Sequence, residues 1–346
     1  MSEAGPGGVA DVVRRTAGLQ AQSWRGAAYA VRARSTATTW ADVERATAVD
    51  RSVVRGWFMR GTLQLVAIEH AGPLLALLGP KLIKDTERRY GELGLTEAIR
   101  SRAADVIENH LLENGPTGRA DLGEVLVKAE LLPEPKGQGV YALIRHTGLL
   151  GRLCYGPGHD STETWVATRD WLGKPLELEV EGSPADLARR YLRAYGPATA
   201  QDFATWSGLT VPVARAAVKE AATMEFVVAG EPLAAVADLP GSAAVRLLGE
   251  FDPYLLGYKD RRHALDEKDR KLIHPGGGML RPAVVQAGRV IGSWTHTHPS
   301  VHLFDPTAQA PTALTANLTA ELTADLTAEL TAELTAELTD LTRFRP

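Results

Sequence analysis

The sequence predicts an α+β fold, mainly α, in which short helices, a turn and a strand recur three times in the same order before a β-rich region. Three observations carry this. Gly-Pro turns at residues 115–118 and 196–199 stand at corresponding places in consecutive segments, each between two helical stretches. Each segment then closes on a strand pattern. Beyond residue 244 the texture becomes β, and runs at 282–286 and 289–294, split by Ala287-Gly288, give a hairpin signal.

Helical signals begin at residues 11–19 and continue at 27–34, with Trp24 and Tyr29 as core anchors. Residues 40–46 read as one short helix and 50–59 as a second, running through Arg60-Gly61-Thr62 into a strand at 63–66. The next copy has helices at 97–114, 119–129 and 138–147, then strands at 149–155 and 164–168 joined by a turn at 156–161. A third copy has helices at 185–195, 200–207 and 211–222 and a strand at 225–229. Helices, a turn and a strand in this order are the grammar of winged-helix (helix-turn-helix) units. Several in one chain would offer an extended surface able to surround a duplex. The divisions expected are 1–92 for the first segment, 93–182 and 183–230 for the next two units, 231–306 for the β-rich region, and 307–346 for a low-complexity tail.

At 346 residues the chain is long enough for several small cores. With Cys154 as its only cysteine it can form no internal disulfide, which fits a reducing compartment. No long apolar run and no signal-like N-terminus occur, so the expectation is a soluble, cytoplasmic protein without membrane contact. The formal charge of −4 comes from the last forty residues, which hold six of the 42 acids and two of the 38 bases. The rest is balanced, 36 against 36, and suits DNA only if its bases gather on one surface, as clusters at 81–89 and 259–262 permit.

The stretch most unusual for chemistry is Gly18-Leu19-Gln20-Ala21-Gln22. A carboxamide takes up no proton near neutral pH, so neither glutamine can be a general base. Each can hold a water or present a partly negative oxygen, which is enough where the leaving group is already activated, as when N7 of a purine is alkylated. Residues i and i+2 share a side only in an extended segment, so the pair converges if the helix breaks at Gly18. A polar surface turn that ends a short helix is the plain alternative. His296, His298 and His302 invite a metal reading, but no acid or cysteine stands at a matching spacing and Pro299 ends the strand, so none is assigned. The hairpin at 282–294 carries Arg289 at its tip, placed either to enter a DNA groove or only to cover the core. In the tail, leucines at every fourth position from 314 to 338 drift by about 40° per repeat. That pattern reads as a mobile or partly helical appendage with no catalytic part.

With these pieces placed, the chain resembles the AlkZ-like bacterial DNA glycosylases. The likeness is carried by residues 18–22, by Arg55-Gly56-Trp57-Phe58-Met59-Arg60-Gly61-Thr62-Leu63, by Tyr195-Gly196-Pro197-Ala198-Thr199 with Asp202-Phe203 and Trp206-Ser207-Gly208-Leu209, and by residues 251–261 and 288–294. The resemblance implies three winged helices in a C around a basic channel, a β-hairpin that reaches the DNA, and catalysis by a Gln-x-Gln motif, here Gln20 and Gln22. It implies double-stranded DNA carrying alkylated purines as partner, no cofactor and no obligate protein partner. Two departures stand out: Gln64 follows Leu63 where many relatives have His, and the segment beyond Trp294 lacks the expected arginine-rich strand and final helix.

The function expected is a monofunctional DNA glycosylase that hydrolyses the N-glycosidic bond of N7-alkylated guanine, bulky adducts and interstrand cross-links included. Its setting would be DNA repair near the nucleoid, with self-resistance to a DNA-alkylating natural product as one form. Arg60, Thr62, Arg145, Lys259, Arg261 and Arg289 are the candidate DNA contacts; Trp57, Asp252, Tyr258 and Asp260 are candidate supports, the two acids by orienting those bases through ion pairs. No lysine stands near the motif as a Schiff-base nucleophile, so no strand cleavage is expected. The alternatives are a non-catalytic winged-helix DNA binder or transcriptional regulator, and an interaction scaffold using the tail.

Overall fold

Residues 8–20 set the pattern of the fold: a short helix, a break and a strand. In the computed structural model, which describes residues 5–176, 178, 182–228, 230–236, 244–296, 299–304 and 328–344, α1 (Val9–Arg15) ends where the Thr16 hydroxyl bonds the Val12 carbonyl. Ala17 and Gly18 then take positive φ, 55° and 110°, and the chain leaves as β1 (Leu19–Gln20). A Cβ on Gly18 would lie 3.1 Å from Met59 and 3.2 Å from Gln64 Oε1, so only glycine makes this exit without strain. The first unit continues with α2 (Trp24–Arg32), α3 (Trp40–Ala48), β2 (Val53–Trp57) and β3 (Leu63–Ala67), in an antiparallel sheet of order β1-β3-β2. Trp24 and Tyr29 are buried as expected. Residues 50–59 are not a helix. The β-branched pair Val53-Val54 and Trp57 form a buried strand instead, so the last helix before the sheet is α3, fixed by a Thr39/Asp42 capping box.

Helices α4 (Ile68–Asp85) and α5 (Glu87–Glu92) lead to the second unit, which repeats the order: α6 (Glu97–Asn114), β4 (Thr117–Gly118), α7 (Arg119–Lys128), α8 (Gln138–Leu149), β5 (Leu153–Tyr155) and β6 (Thr164–Ala167). Its sheet order, β4-β6-β5, matches that of the first. After α9 (Thr168–Trp171) come α10 (Pro184–Tyr195), a bridge from Ala198 to Ala234, α11 (Ala200–Ser207), α12 (Val211–Ala221), β7 (Met224–Val228) and β8 (Glu231–Ala235). Because β8 pairs with β7 in register, residues 231–235 go with the third unit rather than with the β-rich region. Ala229, at the end of the expected strand, lies outside the described residues.

The C-terminal region is β9 (Arg246–Leu248), α13 (Pro253–Leu256), α14 (Arg270–Ile273), β10 (Ala283–Gln286), β11 (Arg289–Thr295) and β12 (Ser300–Leu303), in a four-stranded sheet of order β12-β11-β10-β9. The expected hairpin is therefore the middle of a sheet. Its tip is docked, with the Gly288 carbonyl accepting from the Tyr254 hydroxyl at 2.6 Å and Arg289 Nη1 donating to the carbonyls of Arg262 (2.9 Å) and His263 (3.0 Å).

The tail corrects two expectations. Residues 307–327 lie outside the described residues, but α15 (Ala328–Arg343) is a packed part of the fold, and together with β12 it fills the place where a final strand and helix were expected to be missing. Leu334, Leu338, Leu341 and Phe344 are buried with α1, α2, α3 and strands of the C-terminal sheet. The drift that disfavoured a stripe over seven repeats matters little over three turns, and the step from Leu338 to Leu341 reverses it, keeping the three leucines within an arc of about 60°. Arg32, fully buried in α2, locks the helix down: Nη2 reaches Glu337 at 2.8 Å and the Leu247 carbonyl at 2.7 Å, and Nη1 reaches Asp340 at 2.9 Å. A second large core joins the first unit, through Trp57, Phe58 and Met59, to the helices of the other two units.

Candidate active site at the Gln-Ala-Gln segment

Gln20 ends the short strand that follows the Gly18 break, and Gln22 lies two residues on, in the bend that leads into α2. Gln20 pairs in register with Gln64 on β3, and its Oε1 accepts a 3.2 Å hydrogen bond from Arg60 Nη2. Gln22 is exposed, with Oε1 accepting from the Leu63 amide at 2.8 Å. Both carbonyl oxygens are thus fixed by donors. Among the described residues no carboxylate bonds either amide.

The turn facing them is Met59–Gly61, where Arg60 has φ 59°. Its guanidinium also donates to the carbonyls of Trp206 (3.1 Å) and Thr205 (3.4 Å), which ties the first unit to the third. Gly208, at φ 82°, lets α11 approach; a Cβ there would stand 3.3 Å from the Arg60 backbone. Burial, and then the nearby charge of Arg261, hold the Arg60 pKa below the usual arginine value. On the other side the Tyr195 hydroxyl donates to the Thr16 carbonyl at 3.1 Å, bracing the break, while the Tyr258 hydroxyl donates to the Tyr195 carbonyl at 2.7 Å. Burial pushes the Tyr195 hydroxyl well above its usual pKa.

The other expected residues divide. Thr62 accepts at 3.3 Å from Gln64 Nε2 and donates to the Met59 carbonyl, so it shapes the turn. Arg145 bonds Thr86 Oγ1 at 3.1 Å and lies against Gly61. Lys259 is exposed, its amide bonded to Asp202, and Arg261 Nε donates to the Leu255 carbonyl at 2.5 Å. Trp57 is not at the site; it is buried, with Nε1 donating to the Tyr141 hydroxyl at 3.1 Å. The two acids do not orient the candidate bases. Asp252 is buried against Arg34 (2.7 Å) and caps α13, and Asp260 pairs with its neighbour Arg262. Arg289 is held by Asp266 and the carbonyls already described.

Gln64 is 3% exposed, and its Nε2 lies 3.4 Å from the Met59 carbonyl, so it serves the turn from inside. His296 bonds Glu250, which drops to a pKa of about 2 although burial opposes this, and Glu250 also accepts from Ser23 at 2.5 Å. His298 lies outside the described residues, and no cluster of three metal-ligand side chains occurs among those described. No described helix is long and apolar enough to cross a membrane. Sequence reasoning missed Arg55. Its signal was a cation inside the apolar run Val53-Val54-Arg55-Gly56-Trp57, since a buried charge needs partners.

The family model described as DNA glycosylase AlkZ-like matches residues 13–344. A relative from Streptomyces sahachiroi, named an interstrand DNA cross-link repair glycosylase, is 32% identical over 320 residues, covering 82% of this chain and 81% of that one. The solved structure of the S. sahachiroi DNA glycosylase AlkZ matches the fold with a TM-score of 0.72 at 24% identity, over 98% of this chain and 91% of that one. The chain belongs to the AlkZ-like family of DNA glycosylases, enzymes that hydrolyse the N-glycosidic bond between base and sugar.

Proposed function

We propose that this glycosylase removes N7-alkylated guanine, bulky adducts and interstrand cross-links included, and that Gln20 and Gln22 perform the step. The observation that carries the reading is the pair of amides two residues apart after the Gly18 break, each held at its side-chain oxygen, Gln20 by Arg60 and Gln22 by the Leu63 amide. An N7-alkylated guanine is already a cation and leaves without an added proton. The second lone pairs of the two side-chain carbonyls, and NH2 groups with no partner among the described residues, then orient water and stabilise the oxocarbenium-like sugar, by position and electrostatics. Arg60 holds Gln20 in place for this.

The repeated sheet orders β1-β3-β2 and β4-β6-β5, with a third helix trio closed by β7 and β8, support three winged helices. We place them in a C around a DNA channel. Lys259 and Arg261 contact phosphates, with Arg145 behind the Met59–Gly61 turn. The β7–β8 hairpin, where Val227 is 75% and Val228 57% exposed, reaches the DNA in place of the docked β10–β11 hairpin. An open channel suits a cross-linked base, which is tied to both strands and cannot be flipped into a closed pocket. The relative's cross-link repair name supports the same substrate class.

The test is incubation with one duplex carrying a single N7-methylguanine and one carrying an N7–N7 interstrand cross-link. Alkali-labile abasic sites from both are expected, with no nick before alkali. Binding of both without base release would instead make the chain a DNA-covering protein.

A further inference from the structure

We infer that Arg55 is the positioning residue of the Gln-Ala-Gln segment, and that Glu163, from the strand hairpin of the second unit, holds it in place. The inference rests on the reading of Gln20 and Gln22 as the reacting pair. Arg55 is buried in β2, and both its Nε (3.1 Å) and Nη2 (3.0 Å) donate to one acceptor, the Ala21 carbonyl. Its Nη1 reaches Glu163 Oε1 at 2.6 Å, and its guanidinium lies 4.5 Å from the centre of the Tyr155 ring. Ala21 is the residue between the two glutamines and is fully buried. Its amide donates to the Leu63 carbonyl at 2.7 Å. Both backbone groups of the middle residue are therefore pinned, the amide by β3 and the carbonyl by the Arg55 fork. With the peptide planes on both sides of Ala21 held, the directions in which the Gln20 and Gln22 side chains leave the backbone are set.

The neighbouring loop adds a second clamp. His159 stacks on Trp24, two residues past Gln22, with ring centres 5.5 Å apart and planes 3° from parallel. The hairpin loop between β5 and β6 thus holds the motif at Trp24 through His159 and at Ala21 through Glu163 and Arg55. Where no proton is transferred, rate depends on placement, and a shift of about 1 Å is worth roughly 10²-fold. A lysine at 55 keeps the charge but loses the planar fork.

The experiment compares wild type, R55K, E163Q and the Gln20→Ala/Gln22→Ala variant by single-turnover base release from a duplex with one N7-methylguanine, with DNA affinity measured alongside. We expect R55K to be roughly 10- to 100-fold slower and E163Q several-fold slower, both with wild-type affinity, and R55K to add nothing in the double-glutamine background. Hydrogen exchange of the Ala21 amide, which needs no turnover, should speed up in R55K and E163Q while α10 stays protected. If the glutamine variant is inactive but R55K and E163Q keep the wild-type rate and Ala21 protection, the inference is overturned. If the glutamine variant keeps full activity, the reading of the motif fails instead. Should R55K not fold, E163Q decides, because it keeps an acceptor for Arg55.

Discussion

Arg60 stands between Gln20 and the third unit: one terminal nitrogen is 3.2 Å from the Gln20 carbonyl oxygen and the other 3.1 Å from the Trp206 carbonyl. A guanidinium so engaged orients the Gln20 amide rather than reaching out for phosphate. Replacement R60M should slow single-turnover base release by about 10-fold or more while affinity for undamaged duplex changes little. A loss of affinity with an unchanged maximal rate would make Arg60 a phosphate contact after all.

Gly208 is the backbone counterpart of that contact. With φ at 82° and a built Cβ 3.3 Å from the Arg60 backbone, G208A combines left-handed strain with a push on the turn. A cost of about 1–2 kcal/mol is expected from the conformation alone. Thermal unfolding and base-release rate should fall together; a variant with lower stability but a wild-type rate would show that the turn tolerates the displacement.

The C-terminal helix makes a stability prediction. R32M leaves Glu337 and Asp340 without their buried cation, which typically costs about 3–5 kcal/mol. Truncation after Asp305 should be at least as damaging, because it exposes the surface that Leu334, Leu338 and Phe344 cover. Urea denaturation measures both. A truncated chain as stable as the full one would return residues beyond 305 to the status of an appendage.

His146 sets a pH dependence. Burial, and then the charge of Arg100, lower its pKa from 6.5 to about 4, and its Nδ1 has no hydrogen-bond partner among the described residues. Between those values the unfolded chain binds a proton that the folded chain does not, so stability falls as pH drops from 6.5 toward 4. Between pH 6.5 and 5 the loss is on the order of 2 kcal/mol. His146→Phe should flatten that part of the curve of denaturation midpoint against pH, and an unchanged slope would assign the acid sensitivity to other groups.

The parts of this fold legible in the sequence were those whose signals are local. The helix α6 is bounded by the Thr96 cap and Gly115, and the exit from α1 follows from Gly18 alone. The strand β2 was not legible, because Arg55-Gly56 interrupts its apolar run and five residues are too few to separate a period of two from one of 3.6. The final helix was hidden by its own regularity: the drift of the whole leucine run hid the three leucines that pack. The glutamines were visible as a motif, whereas the partners of Arg55 lie 34 and 108 residues away, at Ala21 and Glu163, and only the folded chain brings them together.

Base excision through Gln20 and Gln22 can be tested directly. Its most direct measurement is single-turnover incubation of wild type and the Gln20→Ala/Gln22→Ala variant with a duplex bearing one N7-methylguanine, followed by alkali, with binding to the same duplex measured in parallel. Abasic sites are expected from wild type, with a loss of about 10²-fold or more in the variant at equal affinity. Equal rates of base release from the two proteins would contradict it and place the chemistry elsewhere in the fold.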